Sequence, residues 1–385
     1  MTKVLTKIIA ILLIASVNAQ KDPEIKTINI SFGKQFNMSS NILKEERMLL
    51  IHTPAGYKKS NKKYPVIYVL DGNNHFSHTT IAATLLAEND RMPASIIVAI
   101  PNNNGTRQRD LGNGRENFKK YIKEEVIPFV NNNYRTLNHK TLFGHSMAGA
   151  FTLNYLATEP TLFDNYIAAS PVVQIFNSEL LEQFSTLFKN NKTLSKPLYF
   201  TLTGVTEEGQ DTTDAMNNFV ALLKKEAPIS FRWKYDFIED QIHMTTPYLT
   251  MYKGFTEVFQ DFQSPTYTNF KDFINRGGMQ QLKSFYKKRA AIYQTENIIA
   301  ENTLSRLANV LLSDKQEALG IELLILNTKN HPKSIGALNN LARVYVRLKQ
   351  TDNAKKAYQA ALILADKQGS PNSVYFKRRL ERLEK

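Results

Sequence analysis

The chain has 385 residues, which is long enough for one large domain and a smaller second domain. It contains no cysteine, and this excludes disulfide bonds, thiolate zinc sites and a cysteine nucleophile. The formal net charge is +14, but lysines occur along the chain and do not alternate with aromatic residues in one patch, so a solvated surface is favoured over nucleic-acid binding. We expect no nucleic-acid partner, no cofactor and no metal.

The N-terminus has the pattern of a secretory signal peptide. Lys3 and Lys7 supply positive charge, a short apolar stretch follows, and Val17 and Ala19 are the small residues before a cleavage point. The apolar stretch is shorter than the roughly 20 residues that a membrane-spanning helix requires. We therefore predict a mature protein that begins near Gln20, is exported to the periplasm or the medium, and does not span a membrane.

Alternating strand and helix patterns extend from residue 25 to about residue 260. Residues 25–62 contain two strand-like runs, TINISF and ERMLLIHTP, which we expect to pair antiparallel. Six further apolar runs predict buried strands: YPVIYVLDG, ASIIVAIPN, KTLFG, NYIAAS, PLYFTLTG and FRWKYDFIE. The runs between them predict helices: HTTIAATLLAEN, RENFKKYIKEEVIPFVNNNY, MAGAFTLNYL, SELLEQFSTLF and TTDAMNNFVALLKKEA. This alternation predicts a doubly wound, mostly parallel sheet with helices on both faces.

The pattern changes after Asp261, where strand-like runs end and helix-forming residues dominate. The spacing of small and apolar residues resembles the 34-residue tetratricopeptide repeat, most clearly at Leu341, Ala342, Tyr345, Ala354, Tyr358 and Ala361. A weaker copy precedes it and closes at Pro332, and a plain helical bundle is the alternative. We predict a signal peptide over residues 1–19, an α/β domain over residues 20–262 and an all-α helical domain over residues 263–385.

A serine between glycines marks the third buried strand of the α/β domain. We interpret GHSMAG, from Gly144 to Gly149, as a G-x-S-x-G nucleophile elbow, a strained turn that exposes Ser146 between a strand and a helix. Glycines near the serine avoid clashes at such a turn because they lack a Cβ atom. A purely structural turn is the alternative, but the apolar strand before Ser146 and the apolar helix after it favour a nucleophile.

The base follows from the order of residues along the chain. A serine hydroxyl needs a base to take its proton, and in proteins with this elbow the order is serine, acid, histidine. Of the seven histidines, only His243 and His331 follow Ser146, and His331 falls between the predicted repeats. We therefore predict His243, in IEDQIHMTTP after the last strand, as the base.

The acid that orients the histidine is expected after the strand PLYFTLTG. Three carboxylates lie there in sequence, Glu207, Glu208 and Asp211. We favour Glu207, place Glu208 second, and leave Asp211 as the candidate further into the loop. Glu239 and Asp240 adjoin His243 in sequence and are poorly placed to come from a separate strand.

Attack on an ester carbonyl builds negative charge on its oxygen, which two backbone N–H groups must stabilise. One is expected from Met147, the residue after the nucleophile. The second is expected in the loop LDGNNHF, where we favour Asn73 over Asn74. The alternative is that this loop is only a tight turn.

Several motifs together resemble one enzyme family. YPVIYVLDGNNHF, IIVAIPN, TRQRDLG, FGHSMAGAFTLNYL, AASP and TGVTEEG, taken with His243, are similar to the bacterial esterase family of α/β-hydrolases, which includes ferric-enterobactin, esterase D-like and feruloyl esterases. The resemblance covers about residues 25–260. It implies an α/β-hydrolase fold and a metal-independent serine mechanism on ester substrates, with Ser146 as nucleophile and His243 as base.

The same resemblance bears on two further sets of residues. It implies that Asn73, directly after LDG, supplies the second oxyanion N–H. Siderophore esterases have a basic cleft for an anionic ligand, and Arg107 and Arg109 are candidates for this role here, although they could equally pair with Asp110 as part of the structure. The acid loop TEEG matches the family only loosely, so the choice between Glu207 and Glu208 stays open.

These observations predict an exported serine carboxylesterase that forms an acyl-enzyme on a small ester, of a siderophore or a carbohydrate. The alternatives are an acyltransferase of the same fold and a non-catalytic binding protein in which the helical domain holds a protein partner. An intact pair of Ser146 and His243 favours catalysis.

Overall fold

A single eight-stranded sheet organises the first two thirds of the chain. The strands are β1 Lys34–Ser40, β2 Glu45–His52, β3 Tyr64–Leu70, β4 Ile96–Ile100, β5 Thr136–His145, β6 Asn165–Ala169, β7 Leu198–Leu202 and β8 Trp233–Phe237. Their order is β1-β2-β4-β3-β5-β6-β7-β8, with β1 and β2 antiparallel at one edge and β3 to β8 mutually parallel. The predicted mostly parallel sheet is therefore confirmed.

The computed structural model describes residues 31–176 and 178–384. The predicted signal peptide and residues 27–30 of the run TINISF lie outside the described residues. The strand that pairs with β2 is KQFNMSS, which the sequence analysis had not assigned as a strand. Its apolar residues are few because β1 lies at the edge of the sheet and is mostly exposed.

Helices cover both faces of the sheet, as expected for parallel strands. They are α1 Gly72–Glu88, α2 Arg107–Leu111, α3 Arg115–Tyr121, α4 Ile127–Asn133, α5 Met147–Thr158, α6 Glu179–Asn190, α7 Val205–Glu208, α8 Gln210–Glu226 and α9 Thr246–Val258. Alternate residues of β3 belong to two different hydrophobic cores: Tyr68 lies in the core that includes residues of α3, α5 and α8, whereas Val69 lies in the core that includes residues of α1 and α9. Helix α1 already begins at Gly72, earlier than the predicted run HTTIAATLLAEN, so it starts at the glycine of LDG.

After the sheet the chain is entirely helical in its described part. The helices are α10 Phe270–Asn275, α11 Gly278–Tyr293, α12 Glu301–Ser313, α13 Glu317–Asn330, α14 Ile335–Arg347, α15 Thr351–Lys367 and α16 Ser373–Glu384. We call residues 263–384 the helical region. Its core is continuous from α10 to α16, and Gly320 lets α13 approach α12, since a Cβ there would lie 2.5 Å from Leu312 Cγ. The predicted helical domain is present, and its description as tetratricopeptide repeats stays a prediction.

Helix α11 attaches the helical region to the sheet. Arg289 is buried, pairs with Asp90 at 2.8 Å, and stacks on Phe262 with its guanidinium 3.7 Å from the ring centre. The Tyr293 hydroxyl donates to Asp261 at 2.9 Å, and the Tyr293 ring joins the core on the α1 side of the sheet. Residues 33–385 accordingly form one compact unit, and the predicted boundary between residues 262 and 263 stays a prediction.

Candidate active site

Ser146 lies at the corner between β5 and α5. Its backbone has φ 59° and ψ −121°, a conformation that is costly for a residue with a Cβ atom. Two backbone hydrogen bonds maintain it: the Ser146 N–H donates to the Ala169 carbonyl at 2.9 Å, and the Val172 N–H donates to the Ser146 carbonyl at 3.2 Å. The strained corner predicted for Ser146 is therefore present, and the side chain is half-buried at the carboxyl edge of the sheet.

The motif around this corner differs from a strict G-x-S-x-G. The residue two positions after Ser146 is Ala148, and Gly149 comes one residue later. Gly144 is required by space, because a Cβ there would clash with the Ala148 carbonyl. A Cβ at Gly149 would meet the Ala169 carbonyl and Pro171 at 3.1 Å, which is tight but less severe. The glycine before the serine is thus the stricter requirement.

His243 and Glu208 form a partly buried hydrogen-bonded pair beside the elbow. His243 Nδ1 lies 2.8 Å from Glu208 Oε2, and the Glu208 side chain is only 1% exposed. The Thr203 N–H also donates to Glu208 Oε1 at 3.4 Å. Burial acts to raise the pKa of the Glu208 carboxyl, but these hydrogen bonds outweigh it and keep its pKa below the usual value.

The order of preference among the three acids is therefore corrected. Glu207 and Asp211 are exposed, whereas Glu208 reaches His243. Glu207 and Glu208 are successive residues of the short helix α7, so their side chains leave the helix about 100° apart. Only one of them can point at His243, and the position of α7 after β7 selects Glu208.

The elbow and the loop carrying His243 are in direct contact. His145 Nε2 lies 3.0 Å from the His243 carbonyl oxygen, and the two imidazole rings are 4.7 Å apart between centres. Ser146 follows His145 directly, with a Cα–Cα separation of about 3.8 Å. The structure therefore places the loop that carries His243, with Glu208 bound to it, against the elbow of Ser146. In structures without substrate, a serine–imidazole hydrogen bond is often long and tightens only when substrate binds.

Two helix N-termini begin at this edge of the sheet. Asn73 is the second residue of α1 and Met147 is the first residue of α5, and backbone N–H groups at these positions have no acceptor inside their helix. The Asn74 N–H instead donates to the Asp71 carbonyl at 2.9 Å. This difference favours Asn73 over Asn74 as an oxyanion donor.

Arg107 and Arg109 make structural ion pairs. Arg107 binds both carboxylate oxygens of Asp71 at 2.8 Å, so its predicted alternative pairing with Asp110 is wrong. Arg109 pairs with Asp110 at 2.6 Å and with Glu45 at 2.8 Å, as the structural alternative predicted. Both side chains remain more than a third exposed, so they border the surface near the site.

Sequence reasoning missed Asp71, which is buried and precedes α1 with φ 50°. Its position in LDG directly before the oxyanion loop was the available signal. Because Arg107 Nη2 also donates to the His145 carbonyl at 3.4 Å, the Asp71–Arg107 pair connects the oxyanion loop to the nucleophile elbow. We conclude that this pair helps to hold the two loops in register.

Three histidines, also missed, continue from His243 into the protein: His145 and His75 are buried and His78 is half-buried. The ring of His145 lies 5.4 Å from that of His75, which lies 5.1 Å from that of His78. Burial is the main cause that lowers the pKa of His145 and of His75 to about 3 and that of His78 to about 4. These rings are therefore uncharged at neutral pH. Within residues 31–176 and 178–384 no cluster of His, Asp and Glu is arranged to hold a metal ion.

The comparison with protein families identifies the chain. A model of the family described as "Putative esterase" matches residues 40–251, which is more than half of the sequence. The chain belongs to this family. The resemblance deduced from the sequence motifs is thereby confirmed, and the matched residues include the elbow, the acid loop and His243.

Curated relatives of this esterase-family chain include the ferri-bacillibactin esterase BesA of Bacillus subtilis. It is 29% identical over 170 residues, which cover 36% of this chain and 56% of the relative. A siderophore enterobactin esterase of Emericella nidulans is 35% identical over 82 residues, which are 20% of this chain and 27% of the relative. The chain thus spans at most about half the length of these curated relatives.

Solved structures of similar fold cover more of the chain. An IroE-like serine hydrolase from Shewanella oneidensis has a TM-score of 0.60 and 21% identity and covers 77% of this chain and 99% of its own. An uncharacterised protein from Capnocytophaga ochracea has a TM-score of 0.64 and 17% identity and covers 91% of this chain and 99% of its own. At these identities the comparisons establish the α/β-hydrolase fold alone.

Proposed function

We propose that this protein is a serine carboxylesterase with Ser146, His243 and Glu208 as its catalytic triad. The observation that carries the proposal is the partly buried hydrogen bond of 2.8 Å between Glu208 and His243, whose loop contacts the strained elbow of Ser146. Such an arrangement activates a hydroxyl that is otherwise a poor nucleophile. Membership of the esterase family supports the same reaction class.

The geometry assigns each group a step. Glu208 accepts a hydrogen bond from the N–H group at Nδ1 of His243. This leaves Nε2 of the same ring free to take the proton of Ser146 Oγ. The serine oxygen then bonds to the ester carbonyl carbon, and the carbonyl oxygen, now negative, accepts hydrogen bonds from the N–H groups of Asn73 and Met147.

The proton on His243 Nε2 passes to the alcohol oxygen as the C–O bond breaks, leaving an acyl group on Ser146. A water molecule gives its proton to His243 and attacks the acyl carbon. Collapse of this second intermediate releases the carboxylic acid and returns the proton to Ser146. Throughout the cycle Glu208 stays ionised, consistent with the pKa of its carboxyl lying below the usual value.

For the substrate we propose a siderophore ester. The support is that two curated relatives are named as siderophore esterases, of ferri-bacillibactin and of enterobactin. A carbohydrate ester, the other class expected from the sequence, has no such support here. For the location we propose export, on the signal-peptide pattern of residues 1–19. No helix among the described residues is both long enough and apolar enough to cross a membrane.

The catalytic proposal is tested by hydrolysis of p-nitrophenyl acetate and butyrate together with labelling by a fluorophosphonate probe. Ser146→Ala should remove labelling and reduce kcat to the residual level left without a nucleophile, a loss of about 10⁴-fold or more. Ser39→Ala, at an exposed serine of the edge strand β1, serves as the matched control and should keep wild-type values. If wild type neither hydrolyses these esters nor reacts at Ser146, the esterase proposal fails.

We further propose that the helical region binds an acidic segment of a protein partner. Residues 263–385 contain 21 of the 49 lysines and arginines but only 10 of the 35 acidic residues, so most of the net charge resides there. A cavity of about 280 Å³ between α12, α13 and α14 has no acidic residue in its lining; it is lined by the polar residues Ser305, Asn309, Asn340, Arg343 and Arg347 and by the apolar Leu324 and Val344. Carboxylates match these donors in charge and geometry.

A fluorescent peptide of ten glutamates tests this binding by anisotropy, with a ten-glutamine peptide as the uncharged control. We expect binding of the acidic peptide that weakens with salt and falls at least fivefold in an Arg343→Gln/Arg347→Gln variant. Lys58→Gln/Lys59→Gln, on the sheet region, should leave it unchanged. Equal binding by both peptides, or equal loss in both double variants, would refute the site.

A further inference from the structure

His145 links the two loops that flank the nucleophile. Its ring Nε2 lies 3.0 Å from the His243 carbonyl, and its own carbonyl accepts a hydrogen bond from Arg107 at 3.4 Å. Arg107 in turn holds Asp71, next to the oxyanion loop. The side chain of His145 is 4% exposed, so it reaches substrate only through the groups it holds.

We propose that His145 is a positioning residue: its Nε2–H holds the His243 carbonyl and thereby sets the imidazole of His243 at the distance from Ser146 that proton transfer requires. This inference rests on the proposed esterase function. His145 does not exchange a proton with substrate. Its effect is on the placement of a loop.

The direction of this hydrogen bond follows from chemistry. A backbone carbonyl only accepts, so His145 must carry a hydrogen on Nε2. Burial, followed by the charges of His243 and His75, lowers the pKa of His145 to about 3, so the ring is neutral in the range where esterases of this type would work. A neutral donor holds the loop without placing a second positive charge 4.7 Å from the His243 imidazolium that forms during catalysis.

The loop has few other constraints on the side of the elbow. It runs from residue 238 to residue 245, between β8 and α9, and most of its residues are exposed. Thr203 Oγ1 donates to the Ile238 carbonyl at 2.9 Å and contacts the Gln241 carbonyl. Because Thr203 lies between β7 and α7, these contacts hold the loop next to Glu208 and not next to the elbow. In the described structure the His145 contact is the hydrogen bond that ties this loop to the elbow.

A matched pair of substitutions separates donation from packing. His145→Gln retains an N–H donor at a similar distance from the backbone, whereas His145→Met has a similar length and no donor. We expect His145→Met to lower kcat by about 10- to 100-fold with KM changed less than about twofold, because small misplacement of a catalytic group acts on the chemical step. His145→Gln should recover kcat to within about threefold of wild type, and fluorophosphonate labelling of Ser146 should follow the same order.

If Met and Gln lower kcat equally, or if Met leaves kcat unchanged, the ring acts by packing and the inference is overturned. A measurement on wild-type protein covers the case in which both variants unfold. In ¹⁵N-histidine NMR, His145 should show an Nε2–H proton protected from exchange, and an Nδ1–H tautomer would refute the proposal. This spectrum does not depend on turnover. A wild-type protein that is inactive but shows the predicted tautomer would therefore refute the esterase proposal and still support the hydrogen bond between His145 and the His243 carbonyl.

Discussion

In residues 31–262, ten of the 24 lysine and arginine side chains lie within 4 Å of a carboxylate, whereas in the helical region only Arg276 and Arg289 of 20 do so. Around the site, ion pairs such as Asp71–Arg107 hold loops in place. In the helical region most cations have no carboxylate within 4 Å. The first region therefore uses charge to fix geometry, and the second leaves charge available to a partner.

The comparison corrects one expectation from composition. Lysines occur along the whole chain, but residues 263–385 alone contain 21 basic and 10 acidic residues. The sheet region of the mature chain is nearly neutral by the same count. The attachment through Arg289 is an exception within the helical region, since that cation is buried and paired with Asp90. Ion pairs thus hold side chains in place within the sheet region and at the contact between Arg289 and Asp90.

The largest expected effect concerns the pair of adjacent acids. Glu208→Gln should lower kcat by about 10³- to 10⁴-fold, because the amide no longer holds the correct tautomer of His243. Glu207→Gln, the matched control one residue away, should stay within about twofold of wild type because its side chain is exposed. Steady-state hydrolysis of p-nitrophenyl butyrate measures both. Comparable losses in the two variants would show that α7 does not select Glu208.

A smaller effect is expected from the two arginines near the site. Arg107→Gln should lower the free energy of unfolding by about 1–3 kcal/mol, a range reduced from that of a fully buried pair because Arg107 is 37% exposed. Arg109→Gln should cost less than about 1 kcal/mol, since Asp110 keeps Arg47 at 2.8 Å. Urea denaturation measures both values. A larger loss of unfolding free energy in Arg109→Gln than in Arg107→Gln would contradict the expectation that Asp71 depends on its arginine more than Asp110 does.

The buried histidines predict a dependence of stability on pH. Burial, followed by His78 and Arg107, lowers the pKa of His75 to about 3, so between that value and about 6.5 the unfolded chain binds a proton that the folded chain does not. The stability that neutral His75 contributes is fully present above about pH 6.5, the pKa of this histidine in the unfolded chain. As the pH falls below that value, the free energy of unfolding decreases by about 1.4 kcal/mol per pH unit.

Replacing His75 by Phe should reduce the slope of unfolding free energy against pH by up to one proton between pH 6 and pH 4. Urea titrations at several pH values give the slopes. An unchanged slope in His75→Phe would mean that His75 does not stay neutral in the fold.

The smallest effect concerns salt. Raising NaCl from 0.05 to 0.5 M should increase the Tm by a few degrees, because salt screens repulsion among the unpaired cations of the helical region. Lys283→Gln/Lys287→Gln, which removes two exposed lysines one turn apart on α11, should reduce this increase. The pair Lys224→Gln/Lys225→Gln on α8 should reduce it less. Scanning calorimetry measures all three proteins, and a reverse order would contradict the difference between the regions.

The sequence by itself determined most strands of the sheet and the strained corner at Ser146, and it singled out His243 as the candidate base. These follow from local patterns, namely apolar runs, a glycine that only a tight corner requires, and the order of seven histidines along the chain. The first strand was mislocated because β1 is an exposed edge strand with a weak apolar pattern.

Only the tertiary structure decided which carboxylate reaches His243, which partner Arg107 takes, and that His145 holds the His243 carbonyl. Each of these contacts joins segments that are distant along the chain or chooses between neighbours on one helix. Such choices depend on how α7 and the loops are placed on the sheet, and no local pattern of residues encodes that placement.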